Sequence, residues 1–199
     1  MATITRKIGP ADHGQRMGLD EFITADFEEG WRYELARGVI QVVEIPGLPH
    51  GRMVGRLTQL FIVYLIAHPG VISYRAGGGE CRLILPGMQS DRRPDQAVYL
   101  TPPPDDDDPW TEWVPQIVVE VLSEGSEQRE LVEKREEYLR AGVMEYWILD
   151  PAARQMLVLK RAGDTWKEAR IAADATYHTH LLPGLEVSPS QLIDGPAST

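Results

Sequence analysis

The chain has a single cysteine, Cys81, among 199 residues. An internal disulfide is therefore impossible, and a reducing compartment is expected. Long hydrophobic runs are missing too. The richest stretch, "LTQLFIVYLIAH" from Leu57, falls short of the roughly 18 apolar residues that span a bilayer, and it reads as a core helix. Residues 1–18 lack the apolar centre of a signal peptide, so a cytoplasmic protein with no membrane partner is expected. Positive charge is scarce: 20 Lys and Arg stand against 30 Asp and Glu, a net charge of -10. That balance speaks against a nucleic-acid binder with a basic footprint over its whole surface. It leaves room for a local basic patch, because exposed charges are screened beyond about 8–10 Å at ordinary salt. Part of the acidic excess is confined to one run, Asp105 to Asp108. A phosphate-binding glycine loop is absent as well, since the triple glycine of "AGGGE" joins two strand patterns and opens no helix.

What is present is an ordinary globular composition, long enough for one core, with no internal repeat and no linker. Residues 1–18 read as a flexible arm. "LDEFITADFEEG" spaces Leu19, Phe22, Ile23 and Phe27 at helical intervals and stops at Gly30. "WRYEL" and "VIQVVEI" flank Gly38 as a β-hairpin. A helix from His50 to about His68 ends at Pro69-Gly70. "VISYR" and "CRLIL" read as a second hairpin around the glycines, with Cys81 a small buried hydrophobe. "PDQAVYL" and "QIVVEVL" are strands separated by a proline-rich loop that holds Trp110 and Trp113. "SEGSEQRELVEKREEYLRAG" is the clearest helix, with Ser126 as its N-cap and Gly142 at its stop. Three strands follow, with Trp147 in the core, and residues 193–199 fade into a disordered tail. The order predicts one α/β (α+β) domain over residues 19–192, a central mixed sheet flanked by helices.

The informative residue is Glu120, in the middle of the interior strand. Side chains alternate along a strand, so Ile117, Val119 and Val121 share one face and Val118, Glu120 and Leu122 the other. Both faces are otherwise apolar, and a buried carboxylate needs a cation, donors or a metal. Leu131, Lys134 and Tyr138 form one stripe of the next helix, which turns Lys134 inward, unlike Arg129, Glu133 and Glu137. Asp95 starts the preceding strand. If the two strands are neighbours, two carboxylates and a lysine converge, and a hard divalent cation relieves their repulsion. A carboxylate-held Mg²⁺ with a lysine beside it hydrolyses phosphodiesters. The plainer reading is a partly buried ion pair between Glu120 and Lys134 that fixes helix on sheet.

The segments "RRPDQAVYL", "QIVVEVLSEGS", "KREEYLRAGVMEYWILDP" and the upstream "RYELARGVI" closely resemble the Uma-two family, a bacterial branch of the PD-(D/E)XK nuclease superfamily. The likeness runs from about Leu19 to about Leu192. It implies the restriction-endonuclease-like fold, a site using Mg²⁺ for which Mn²⁺ substitutes, and DNA as substrate. On this likeness Asp95 takes the Asp of the Pro-Asp motif and Glu120 the second acidic position. The superfamily's lysine two residues further on is Leu122 here; in this branch it comes from the following helix, as Lys134. Glu34 matches a recurrent acidic position that adds or orients a ligand, against the simpler reading of a solvated salt bridge with Arg32. Glu130 keeps the charge of a position where Asp is common. His50 matches a recurrent histidine and reads by itself as structural or capping.

The reading that results is a metal-dependent endodeoxyribonuclease. In it Asp95 and Glu120 hold the metal, with Glu34 and the Val121 carbonyl as further ligands, and Lys134 positions the attacking water. A homodimer is expected. The competing reading is a non-enzymatic dimeric interaction module, motivated by the net charge and by Trp110 and Trp113, which look exposed and free to pack on a partner. His178 and His180 would face one side of a strand, but no third zinc ligand lies near them.

Overall fold

The computed structural model describes residues 6–77, 82–106 and 108–195. The chain starts with a short parallel pair, β1 (Lys7–Ile8) and β2 (Asp26–Phe27), with α1 (Leu19–Ile23) between them. The hairpin of β3 (Trp31–Ala36) and β4 (Val39–Glu44) forms as expected. Its two-residue turn places both Arg37 and Gly38 at positive φ, 51° and 75°, the combination that matches the twist of the flanking strands. Next come α2 (Leu48–Ala67), β5 (Tyr74–Gly77), β6 (Leu83–Leu85), β7 (Ser90–Arg92) and β8 (Gln96–Tyr99). The second half holds β9 (Ile117–Val121), α3 (Lys134–Ala141), β10 (Glu145–Asp150), β11 (Gln155–Ala162), β12 (Thr165–Ala172), β13 (Tyr177–His178), β14 (Glu186–Val187) and α4 (Pro189–Asp194).

Two sheets carry the fold. The larger has the order β12-β11-β10-β9-β8-β5, and the smaller β4-β3-β7-β6. In the larger, β9 and β10 run parallel, and the other neighbours are antiparallel, so the sheet is mixed. A parallel pair needs a crossover, and the segment with α3 supplies it.

The alternation along β9 sorts its side chains into two cores. Ile117, Val119 and Val121 join Trp147 and Leu149 of β10 under Met53, Leu57 and Phe61 of α2. Val118 and Leu122 join Tyr146 and Ile148 under Tyr138 of α3. Each large side chain so buried contributes about 1.5–3 kcal/mol, and this sandwich holds both helices on the sheet. Among the described residues, no helix is long and apolar enough to cross a membrane.

Four local expectations are corrected. The proposed hairpin around the triple glycine does not form: β5 pairs with β8 of the large sheet, while β6 pairs with β7 of the small one. Alternation marks a strand but does not name its partner. Cys81 lies outside the described residues. The first helix stops at Ile23, and Phe27 sits in β2 instead. The arm, from Arg6 on, is packed: Ile8 and Met17 are buried beside Phe22, Leu35 and Ile40. At the other end α4 runs through Asp194, whose carboxylate takes two hydrogen bonds from Arg154, at 2.9 and 2.7 Å. Residues 196–199 lie outside the described part.

Trp110 and Trp113 are also placed differently. They pack edge-on or tilted against Tyr74 and Tyr99 in an aromatic cluster with ring centroids 4.1–6.3 Å apart. Trp113 donates its indole N–H to the carbonyl of Thr101 at 3.2 Å. The indoles hold the proline-rich loop onto β5 and β8, with Trp113 buried and Trp110 half-buried.

Candidate active site

The segment Arg93-Pro94-Asp95 is the crossing point between the sheets. β7 belongs to the small sheet and β8 to the large one. Proline has no N–H for a ladder, which suits a residue between two sheets. Antiparallel pairing sets Gln96 opposite Val119, so Asp95 lies beside Glu120. The Asp95 amide donates to Glu120 Oε2 at 3.3 Å, and the Val121 amide donates to Asp95 Oδ2 at 2.9 Å. The expected convergence of the two carboxylates is therefore observed.

Lys134 arrives from above. The helix that carries it opens with a π-helical turn, Arg129–Glu133, in which the Lys134 amide bonds to the carbonyl of Arg129, five residues back. Such turns insert an extra residue and recur at functional sites. Here Glu130 and Lys134 both end up buried over the end of β9. Lys134 Nζ lies 2.7 Å from Glu120 Oε1, 3.2 Å from Glu34 Oε1 and 3.2 Å from Glu130 Oε2. Tyr138 donates its hydroxyl to Glu120 Oε1 at 3.0 Å.

The small sheet contributes from the side. Glu34 is buried, not a solvated partner of Arg32 as the simpler reading had it. Arg32 lies 3.5 Å from Asp95 and donates to the Arg93 carbonyl at 2.8 Å. From the first turn of α2, His50 Nε2 lies 3.1 Å from Asp95 Oδ2. These groups close round a pocket with about 20 Å³ of free space, room for roughly one water or ion.

The electrostatics are lopsided. Burial and the neighbouring Glu130 push the Glu120 carboxyl well above the usual range, with Asp95 and Glu34 adding to Glu130 and Lys134 opposing. Glu34 goes the other way. Against the cost of burial, Lys134, Arg92 and Arg129 hold it down at about 2. Asp95 is likewise lowered against burial, by His50, the Val121 amide and Arg32. Burial lowers Lys134, but Glu120, Glu130 and Glu34 outweigh it and raise it above its ordinary value, so it stays protonated. One ammonium is shared by three carboxylates, and Glu120, nearest to it at 2.7 Å, is the one whose carboxyl is pushed up.

The comparisons bear on the family and the fold. The Uma2 family model, described as "Putative restriction endonuclease", matches residues 19–190. The chain belongs to the Uma2 family. A protein from Anabaena variabilis ATCC 29413, described as a "putative nuclease belonging to DUF820", has a crystal structure that aligns with a TM-score of 0.75 at 18% identity. The alignment covers 90% of the Uma2 chain and 98% of the other. The two share the fold, which is the restriction-endonuclease-like one expected. None of the curated proteins matches the chain significantly.

The donor set of this Uma2 site suits a hard divalent cation. It consists of carboxylate oxygens around a space of one ion's size, with Glu120 pushed up by burial and by the carboxylates beside it. Among the described residues no three His, Cys, Asp or Glu side chains are already arranged about one metal position. Asp95 and Glu120 are the pair that would hold it. Val121 lines the same pocket. Glu34 lines the same pocket and has both oxygens engaged, by Lys134 and the Arg93 amide on one and Arg92 on the other, at 3.1–3.2 Å, as the oxygens of Glu120 are by Lys134, Tyr138 and the Asp95 amide.

Sequence reasoning missed two parts of the site. His50, which by sequence reads as structural or capping, contacts Asp95 directly. Glu137, which the helical stripe turns away from the sheet, is fully buried against Arg92, at 2.6 and 3.0 Å. Arg92 is itself 0% exposed and also reaches Glu34. The available signal was the arginine pair before Pro94: with no solvent at the sheet junction, one guanidinium must find carboxylates inside. His178 and His180 are both exposed and belong to no metal-binding group among the described residues.

Proposed function

We propose that this chain is a divalent-metal-dependent DNA endonuclease, with Mg²⁺ as the working ion and Mn²⁺ as a substitute. The observation that supports it most is the meeting of Asp95 and Glu120 in one small pocket, with Lys134 Nζ 2.7 Å from Glu120. A divalent cation held by Asp95 and Glu120, with the Val121 carbonyl as a further donor, would lower the pKa of water and offset charge on the phosphodiester.

The chain's own groups do the positioning. Lys134 remains protonated and donates into the pocket, where it can hold an attacking water and stabilise developing charge on a non-bridging oxygen. Glu34 and Glu130 fix its ammonium from two sides, and Tyr138 fixes Glu120. His50 and the Val121 amide orient Asp95. The products would carry 5′-phosphate and 3′-hydroxyl ends. Two copies of the site in a homodimer would serve two strands.

The test is Mn²⁺ titration by calorimetry together with cleavage of mixed DNA substrates, on wild type, Asp95→Ala and Glu120→Ala. Metal binding and metal-dependent cutting that both variants lose are expected. Full activity in Glu120→Ala would overturn the proposal. The one geometric point in favour of a non-enzymatic module is the close Glu120–Lys134 pair itself, which could serve as a permanent brace. In that case the wild type binds no divalent metal.

A further inference from the structure

We propose that Arg32 and Arg129 are the groups that grip the phosphate at this site. The inference rests on the nuclease reading and adds two catalytic residues to it. Free space of about 20 Å³ admits an ion or a water but not a phosphate with its sugars. The phosphate must therefore be held at the mouth, by groups that reach solvent.

Lys134 is poorly placed for that task. It is 1% exposed. An ammonium has three N–H donors, and Glu120, Glu34 and Glu130 stand 2.7, 3.2 and 3.2 Å from Nζ. One donor released from a carboxylate would serve the attacking water. Little would remain for a phosphoryl centre whose charge spreads over its non-bridging oxygens.

Arg32 and Arg129 are placed differently. Both line the pocket, and their side chains are 27% and 21% exposed. Arg32 shares a face of β3 with Glu34. Its Nη2 donates to the Arg93 carbonyl at 2.8 Å, and its Nη1 makes only a long contact with Asp95 Oδ1, at 3.5 Å. Arg129 comes from the π-helical turn, and its Nε donates to Glu130 Oε1 at 2.9 Å. A guanidinium carries five N–H donors in a planar fork. Each of these two is anchored to the protein at one side and reaches solvent, so it is preorganised for the paired oxygens of a phosphate. One is held beside Asp95 and the other beside Glu130, and the charges of Glu34 and Glu120 act on both.

The charge count fits a phosphate as occupant. With every group ionised, the lining sets Glu34, Asp95, Glu120 and Glu130 against Arg32, Arg93, Arg129 and Lys134, four against four. A divalent cation would leave the mouth positive by its own two charges, which draws in an anion that a chain of net charge -10 repels elsewhere. Removing Arg32 and Arg129 would cancel that surplus.

The experiment is calorimetric titration with thymidine 5′-phosphate in Mg²⁺ at fixed salt, on the full chain, on Arg32→Gln and on Arg129→Gln. Arg140→Gln is the control, since Arg140 pairs with Glu136 and lies outside the pocket lining. Each of the first two variants is expected to bind the nucleotide about ten- to a hundredfold more weakly than wild type, the worth of a charge-assisted hydrogen bond. Their Mn²⁺ affinity should be kept or increased, because a cation beside the carboxylates has gone. Arg140→Gln should behave as wild type. If a Gln variant melts early, Arg32→Lys or Arg129→Lys takes its place: the charge stays, the fork is lost, and nucleotide affinity should still fall severalfold. Nucleotide affinity unchanged in either arginine variant would overturn the proposal. So would a loss accompanied by loss of Mn²⁺ affinity, because the arginine would then act only through the carboxylates. The two readings fail separately. A wild type that binds thymidine 5′-phosphate through both arginines and cuts no DNA would sink the nuclease reading and leave the grip standing. Full cleavage by both Gln variants would sink the grip and leave the nuclease.

Discussion

Glu120 and Glu145 are both buried, on adjacent strands of one sheet, and the fold treats them in opposite ways. Glu145 starts β10 and meets three neutral donors, each at 2.8 Å: the Trp147 indole, the Tyr177 hydroxyl and the Thr179 hydroxyl. Among the described residues its one nearby cation, Lys160, is 4.0 Å away. Every donor there has one acceptor to serve, and the group ties β13 and the chain after it to the sheet. Glu120 sits at the far end of β9 among other carboxylates, with one lysine shared between them. A buried acid surrounded by neutral donors is a tie, whereas one crowded by like charges, as Glu120 is, has its carboxyl pushed up, and that is where we propose a cation binds.

The largest effect should come from the crowded end. Asp95→Ala or Glu120→Ala is expected to lower metal-dependent cleavage by about a thousandfold, roughly 4 kcal/mol of transition-state stabilisation, in single-turnover assays, with melts showing a folded chain. Glu145→Ala should do the reverse. It leaves three buried donors without an acceptor and should cost about 3 kcal/mol, roughly 6–12 °C in Tm for a chain of this length, with Mn²⁺ affinity unchanged. A Glu145 variant that lost metal binding but kept its melt would collapse the distinction.

The next effect in size belongs to His50. As an orienting partner of Asp95, not a ligand, it should cost about 10–100-fold in metal affinity when replaced by Ala, less than either carboxylate. Calorimetry on the purified variant decides this.

The smallest effects are in the pH dependence of the melt without metal, where two members of the cluster act in opposite senses. Glu34 is held at about 2, so its contribution is complete above the ordinary value of 4.5 and is lost as pH falls from there towards 2. Glu34→Gln should flatten that acid limb. Glu120 is raised, so it costs nothing below 4.5 and destabilises progressively as pH rises above it. Glu120→Gln should therefore melt higher than wild type at pH 7 and no higher at pH 4. Equal melting of Glu120→Gln and wild type across that range would mean that Lys134 alone satisfies the carboxylate.

Much of this could be read from the chain. The period-two alternation in "QIVVEVL" set two buried faces, and a carboxylate on one of them required a partner, because burying an unpaired charge is costly. The helical stripe gave the inward lysine, and the family likeness joined Asp95, Glu120 and Lys134. The "ARG" turn settled the first hairpin, since only a local pair of positive-φ residues was needed. These are short-range facts, and local sequence determines them.

Tertiary structure decided which strand lies beside which. Periodicity recognised β5 and β6 as strands but could not say that they join different sheets, because a ladder partner is chosen by packing far along the chain. For the same reason Glu137, one position outside the expected stripe, proved to be the buried partner of Arg92. His50 is distant from Asp95 in sequence and meets it only because α2 lies across the sheet. The sequence by itself determined which residue types would be buried and where charge would be unaffordable. Only the fold decided which of those charges share a pocket, since that depends on distances that no local pattern encodes.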